Sequence, residues 1–189
     1  FTLAAADGFR MAVDRVSLSE NAEHEINCIV PARTMSEVQR LLNDPSSDVE
    51  FTVTEEKTQA LFRMSNTEVV TQLVQGTFPD YEKILPTDRN TSVKIDLQSM
   101  IQATRAASVF ARDGSGIIRL VMASGSGDSG STVNVSSRAE EVGDNESVVD
   151  AALEGDDGKI AFNARFLMDV LNVIGGEDLI IEINIIEYQ

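Results

Sequence analysis

Residues 29–43 read IVPARTMSEVQRLLN, residues 94–109 read KIDLQSMIQATRAASV, and residues 161–175 read AFNARFLMDVLNVIG. Set in register, they are one pattern written three times. The offset is 65 residues from Met35 to Met100 and 67 residues from Met100 to Leu167. Apolar positions coincide at Met35, Met100 and Leu167, at Val38, Ala103 and Val170, and at Leu42, Ala107 and Ile174. Polar positions coincide at Arg33, Gln98 and Arg165, at Glu37, Gln102 and Asp169, and at Arg40, Arg105 and Asn172. Each polar set recurs at i, i+4 and i+7, which is one stripe on an α-helix. The spacing predicts three helices, over 31–43, 96–112 and 163–174. Each buries one face and shows a cation-bearing stripe on the other. Repetition of this kind means an architecture assembled from one reused unit.

Around these helices the pattern changes to strands. Segments 1–5 and 9–18 alternate around Asp7-Gly8, a dipeptide that favours a tight hairpin because both residues tolerate positive φ. Pro31 suits a first helical turn, and Pro45 suits a stop after Asn43. Segments 49–54, 60–65 and 68–74 read as a meander, with Val49, Phe51 and Val53 alternating with polar residues. Residues 76–90 hold Pro79 and Pro86 and little periodicity, and read as an extended connection between domains. The pattern then restarts with strands at 93–95, 117–123, 132–137 and 147–154. A strand–helix–strand unit follows from 159 to 186. Asp96 and Asn163 fall at equivalent positions and both make good helix N-caps. The fold class is α/β (α+β), mainly antiparallel, with sheets carrying one helix per repeat.

The chain has 189 residues, a formal charge of −16 and a pI of about 4.3, which argues against bulk electrostatic grip on nucleic acid. The charge is uneven. The three helical segments carry Arg33, Arg40, Arg105, Arg112 and Arg165 against Glu37, Asp96 and Asp169, a net +2, so the remainder carries −18. Two readings of the stripes stand side by side: solvated faces of mixed sign, or a repeated functional surface. The single cysteine, Cys28, permits no intramolecular disulfide and reads as a small buried hydrophobe. That usage fits a reducing, cytoplasmic setting. No apolar run reaches the roughly 20 residues that span a bilayer. Both ends fall in strand pattern, as they would in a fragment of a longer protein.

Enzymatic chemistry finds no support in the residues. GSGDSG at 125–130 matches GxGxxG, but a strand-like segment follows where a phosphate-holding helix is needed, so a hairpin loop is the reading. Asp113-Gly114-Ser115-Gly116 and residues 154–158 lack the ligand spacing of calcium loops and read as turns. His24 is the only histidine and lies in a polar stretch, so neither a zinc site nor a Ser–His–Asp triad assembles. No metal and no cofactor are expected. The acidic run 140–150 reads as a charge-protected edge strand, or as an oligomer interface facing a basic partner.

Several ordered motifs resemble one family. Residues 5–13, AADGFRMAV, resemble the A-T/A-D-G-x-R-L-A hairpin of the bacterial DNA polymerase III β subunit, the sliding clamp. Val30-Pro31 resembles its helix entry, and GTFPDY at 76–81, running on to Ile84-Leu85-Pro86, resembles its G-x-F-P-D-Y segment. ATRAA at 103–107 and GKIAFN at 158–163, with Phe166, Leu167, Asp169, Val170 and Leu171, resemble two further motifs. This sequence has Phe9 where the family varies and Met11 where Leu is common.

The resemblance implies a DNA-clamp fold, with helices on the inner face and sheets on the outer face. It implies a ring of two three-domain subunits closed head to tail around duplex DNA. This chain would supply the second half of the middle domain, with its linker, over 1–87. The third domain, lacking its final strand, would cover 88–189. The implied DNA-facing residues are Arg33, Arg40, Gln98, Arg105 and Arg165. A groove for short peptide motifs would use Ala6, Gly8, Phe9, Arg10, Met11 and Pro86. Ser108, Val109 and Phe110, with the acidic edge strand, would belong to the dimer interface. The implied function is that of a non-catalytic processivity factor. Its partners are duplex DNA and, through the groove, the DNA polymerase III alpha subunit, the clamp loader and repair polymerases. Without a first domain the chain alone is expected to be a monomer or to form a non-native association. The alternative is a repeat-built protein-interaction module with no nucleic-acid role.

Overall fold

The computed structural model describes residues 1–184 apart from 20, 21, 23, 43, 45, 46, 126–129 and 142. The chain divides into two compact units between Ile84 and Leu85.

In the first unit, β1 (Thr2–Ala6) and β2 (Met11–Arg15) pair antiparallel from Thr2↔Arg15 to Ala6↔Met11. The second strand therefore starts at Met11 rather than at residue 9, and ends at Arg15 rather than at 18. The cause is local. The Asp7 carboxylate accepts hydrogen bonds from the Phe9 and Arg10 amides and draws both out of the ladder. Only Gly8 takes a positive φ, +86°, so the connection is a wider loop than a two-residue Asp-Gly turn. Helix α1 (Ala32–Leu41) begins one residue after Pro31, which serves as its N-cap and accepts from Thr34 and Met35 through its carbonyl. The expected stop at Asn43 and Pro45 lies outside the described residues.

Strands β3 (Val49–Val53), β4 (Gln59–Met64) and β5 (Thr67–Gln72) form an antiparallel meander in that order. Alternation sends Phe62 and Met64 of β4 towards Val38 of α1, with Met35, Leu42, Phe51 and Val69 around them. The Phe51 and Phe62 rings sit 4.8 Å apart at 43°, within the range of favourable tilted pairs. On the opposite face Arg63 bridges Glu50 (3.0 Å) and Glu68 (2.8 Å) across all three strands. A short 3-10 turn, Tyr81–Lys83, follows. Arg15 donates to the Tyr81 hydroxyl at 3.2 Å and ties the turn to the end of β2.

Among the described residues, the second unit is one antiparallel sheet with two helices. Its strands are β6 (Thr91–Asp96), β7 (Ile117–Ala123), β8 (Thr132–Ala139), β9 (Gly143–Gly155), β10 (Gly158–Asn163) and β11 (Asp178–Ile183). Their order in the sheet is β10-β7-β8-β9-β6-β11. Helices α2 (Leu97–Asp113) and α3 (Ala164–Leu171) pack against each other over one sheet face. Met100, Ala107, Leu167 and Leu171 close over Val93, Ile95, Ile118, Leu120, Met122, Val133 and Val135, forming one continuous core. Both expected caps are present. Asp96 accepts from the Ser99 amide at 2.8 Å, and Asn163 accepts from the Arg165 and Phe166 amides. The turn after β9 needs glycine. Gly155 sits at φ +93°, and a Cβ there would lie 2.0 Å from the Asn90 carbonyl oxygen.

Two expectations are corrected in this unit. Val170, aligned with buried Ala103, is 43% exposed. The shorter α3 buries Ala164, Leu167 and Leu171 and turns Val170 outward. The β8–β9 hairpin also runs deeper than expected, to the pair Ala139↔Gly143. The acidic residues do not interrupt it, because Asp144 and Glu146 alternate outward and Asp144 lies opposite Arg138. Among the described residues, 143–150 of β9 pair with β8 alone and 151–155 pair with β6. The first half of β9 is thus a sheet edge, as the charge pattern suggests.

Candidate functional site

The repeated helix stripes face solvent. On α2, Gln98, Gln102 and Arg105 are exposed while Met100, Ala103 and Ala107 are buried beneath them. On α3, Arg165 and Asp169 are exposed. Helices α2 and α3 pack against each other, and the polar stripe of each is exposed. On α1, Arg33 and Arg40 are exposed above Val38.

The stripes are not equally available. Arg40 donates Nε (3.0 Å) and Nη2 (2.8 Å) to Glu37, one turn earlier, which offsets its charge. Arg33, Arg105 and Arg165 form no ion pair among the described residues. A free guanidinium offers a phosphate its full fork of donors, so these three carry the site's cationic character, with neutral Gln98 between them in kind. The Asp96 cap adds a negative group at the start of α2. The Ser99 hydroxyl, then the Ser99 amide, hold its carboxyl below the usual range.

A second cluster sits at the tip of the β1–β2 hairpin. Ala6, Gly8, Phe9 and Arg10 are exposed and Met11 is half-buried. Phe9 is 87% exposed, so a core role for it is excluded. Arg10 is drawn to Asp7, Nε to Oδ2 at 2.9 Å. Asp7 is the residue that sequence reading missed: an Asp opening a loop two and three residues before the amides it accepts is an Asx-turn signal. Arg10 above all, then the Phe9 amide, keep its carboxyl below the usual range. Pro86 is exposed and belongs to the second unit.

A third cluster lies towards the C-terminal end of α2. Val109 is 52% exposed, Ser108 and Phe110 are half-buried, and the Ser108 hydroxyl donates to the Thr104 carbonyl at 2.7 Å. Val148, on the edge half of β9, is 65% exposed.

Other chemistry does not assemble. Of the segment 125–130, residues 126–129 lie outside the described residues, and the antiparallel strands β7 and β8 flank it, so no helix follows. Among the described residues no group of His, Cys, Asp and Glu is placed to hold a metal ion. His24 is exposed. Cys28 is half-buried rather than buried, and burial raises its thiol pKa. No helix among the described residues is long and apolar enough to cross a membrane.

Comparison with known proteins agrees along the whole described chain. The family of the DNA polymerase III beta subunit, central domain, matches residues 1–80. Its C-terminal domain matches residues 82–186. The beta sliding clamp of Bacillus subtilis is 27% identical over 177 residues, covering 93% of this chain and 45% of the relative. That of Staphylococcus aureus is 29% identical over 180 residues, covering 94% and 45%. The chain thus spans about half the length of the curated relatives it matches. Among solved structures, the DNA polymerase sliding clamp from Bacillus subtilis superimposes with a TM-score of 0.85 at 25% identity, over 95% of this chain and 46% of that one. The DNA polymerase III subunit beta from Pseudomonas aeruginosa gives 0.83 at 25% identity, over 96% and 48%. Matched over residues 1–80 by the central-domain family and over 82–186 by the C-terminal-domain family, this chain belongs to the DNA polymerase III beta subunit family.

Proposed function

We propose that the chain acts as part of a sliding clamp, a non-catalytic, cytoplasmic processivity factor that encircles duplex DNA and tethers polymerases. The observation that carries this reading is the threefold helix whose exposed stripe holds Arg33, Arg105 and Arg165, which form no ion pair among the described residues, inside a strongly acidic chain. A clamp must hold DNA without fixing its position. Ring closure supplies retention, so many phosphate contacts would add only friction. A thin cationic lining with neutral Gln98 and an acidic exterior suits that task. Arg40 contributes less, being bridged to Glu37.

The hairpin tip, with Ala6, Gly8, Phe9, Arg10 and Met11, is proposed as the surface for short apolar peptide motifs. Such motifs belong to the polymerase III alpha subunit, the clamp loader and repair polymerases. Val109, with Ser108, Phe110 and the edge half of β9, is proposed to face another subunit in a head-to-tail dimer. An open strand edge beside exposed Val148 supports that assignment.

The test is fluorescence anisotropy of a labelled Gln-Leu-x-Leu-Phe peptide beside a scrambled peptide. Saturable, sequence-selective binding that is lost in Met11→Ala and Gly8→Trp is expected. Equal binding of both peptides would remove the peptide surface from this account and favour a generic interaction module.

A further inference from the structure

The loop between β1 and β2 is closed by one side chain. Asp7 Oδ1 accepts from the amides of Phe9 and Arg10, each at 3.1 Å. Its Oδ2 accepts from Arg10 Nε at 2.9 Å, and the Asp7 amide donates to the Arg10 carbonyl at 3.2 Å. Gly8, at φ +86° with open space around it, makes the turn at no steric cost. Between the bonded amides stands Phe9, the most exposed large hydrophobic side chain among the described residues at 87%.

A loop held at both ends by a single carboxylate has lost most of its backbone freedom before any partner arrives. A partner that contacts it does not bear that ordering cost at the moment of binding. We infer that Asp7 is a positioning residue of the proposed peptide site: its Asx turn fixes the loop so that the Phe9 ring is held ready for an apolar side chain of the bound peptide. The inference rests on the peptide-site reading above. Its two halves separate chemically. The turn needs an oxygen acceptor at Oδ1, which Asn also supplies, whereas the bridge to Arg10 needs the charged Oδ2 of Asp.

The experiment is the same anisotropy titration on the full chain, with Asp7→Ala, Asp7→Asn, Phe9→Ala and the Asp7→Ala/Phe9→Ala double variant. Thermal midpoints are measured alongside, to establish that every variant is folded. Asp7→Ala is expected to raise Kd by about tenfold, the order of an ordering cost restored. Asp7→Asn is expected to stay within about threefold of the unmodified chain, because the turn survives. In the Phe9→Ala background, adding Asp7→Ala is expected to change little, since Asp7 acts through Phe9. Three results overturn the inference while leaving the peptide site standing. These are unchanged affinity in Asp7→Ala, an Asp7→Asn loss as large as the Ala loss, and an Asp7→Ala loss undiminished without Phe9. Absence of binding by the unmodified chain overturns the site, and the inference with it.

Discussion

Single side chains set the ends of the elements, and their effects are separable. Asn163 caps α3 by accepting from two amides, at 3.0 and 3.1 Å. Asn163→Ala is expected to cost about 1 kcal/mol of stability in denaturant unfolding. An unchanged midpoint would mean that packing alone fixes the start of α3. Asp96 and Asp7 both have carboxyls held below their ordinary range by hydrogen bonds to the charged form. Their folded pKa values are lower than the unfolded ones, so their contribution is present above the unfolded value and is lost as pH falls through the folded value. The unfolding midpoint is expected to fall on acidification below pH 4, and to fall less in Asp96→Ala. An equal acid response in that variant would assign the effect to other carboxylates. At this scale sequence reading found the caps, because Asp and Asn directly before an apolar period have one strong use. It placed a turn at Asp7-Gly8 but did not find the hydrogen bonds that the Asp7 carboxylate makes there, nor the Glu37–Arg40 pair. Both depend on which of several nearby acceptors a flexible donor selects, and composition does not encode that choice.

The helices were legible as elements because three copies of one pattern reinforce each other. The strands of the first meander were legible because they alternate. The β8–β9 hairpin was read too short because its acidic residues resemble a loop. They are tolerated in the ladder because alternation sends them outward. Val170 was misassigned because alignment with Ala103 carries over a position but not a neighbour. Helix α2 lies against α3 and strands β6 to β9, whereas α3 lies against β10 and α2. That difference makes a testable contrast within one helix. Leu171, 1% exposed, is expected to lose roughly 2–5 kcal/mol on substitution by Ala. Val170→Ala is expected to stay within about 1 kcal/mol, since its side chain is already partly in water. Similar losses at both positions would place Val170 in the core after all. The edge half of β9 makes a prediction of its own. Val148→Lys is expected to leave the unfolding midpoint within about 0.5 kcal/mol while weakening any self-association seen by light scattering. A large loss of stability would show that this edge is covered within the chain.

For the whole molecule, the proposed function needs a contradiction resolved. A chain of net charge −16 is assigned to surround a polyanion. The resolution is segregation: the three helical segments carry a net +2 and the remainder −18, and among the described residues Arg33, Arg105 and Arg165 stand on these helices without an ion pair. Family membership was legible from ordered motifs. How strongly the stripes attract DNA was not, because that depends on which arginines are already paired. The most direct measurement is the binding of linear duplex as a function of salt, at protein concentrations high enough to saturate it at low ionic strength. Each phosphate neutralised contributes about −0.9 to the slope of log K against log salt. Weak, sequence-indifferent binding with a slope between about −1 and −3 is predicted, becoming shallower by about 0.9 in Arg105→Gln. The triple variant Arg33→Gln/Arg105→Gln/Arg165→Gln is predicted to bind without measurable salt dependence. An unchanged slope in that variant, or tight sequence-specific binding by the unmodified chain, would contradict the assignment of the helix stripes to DNA.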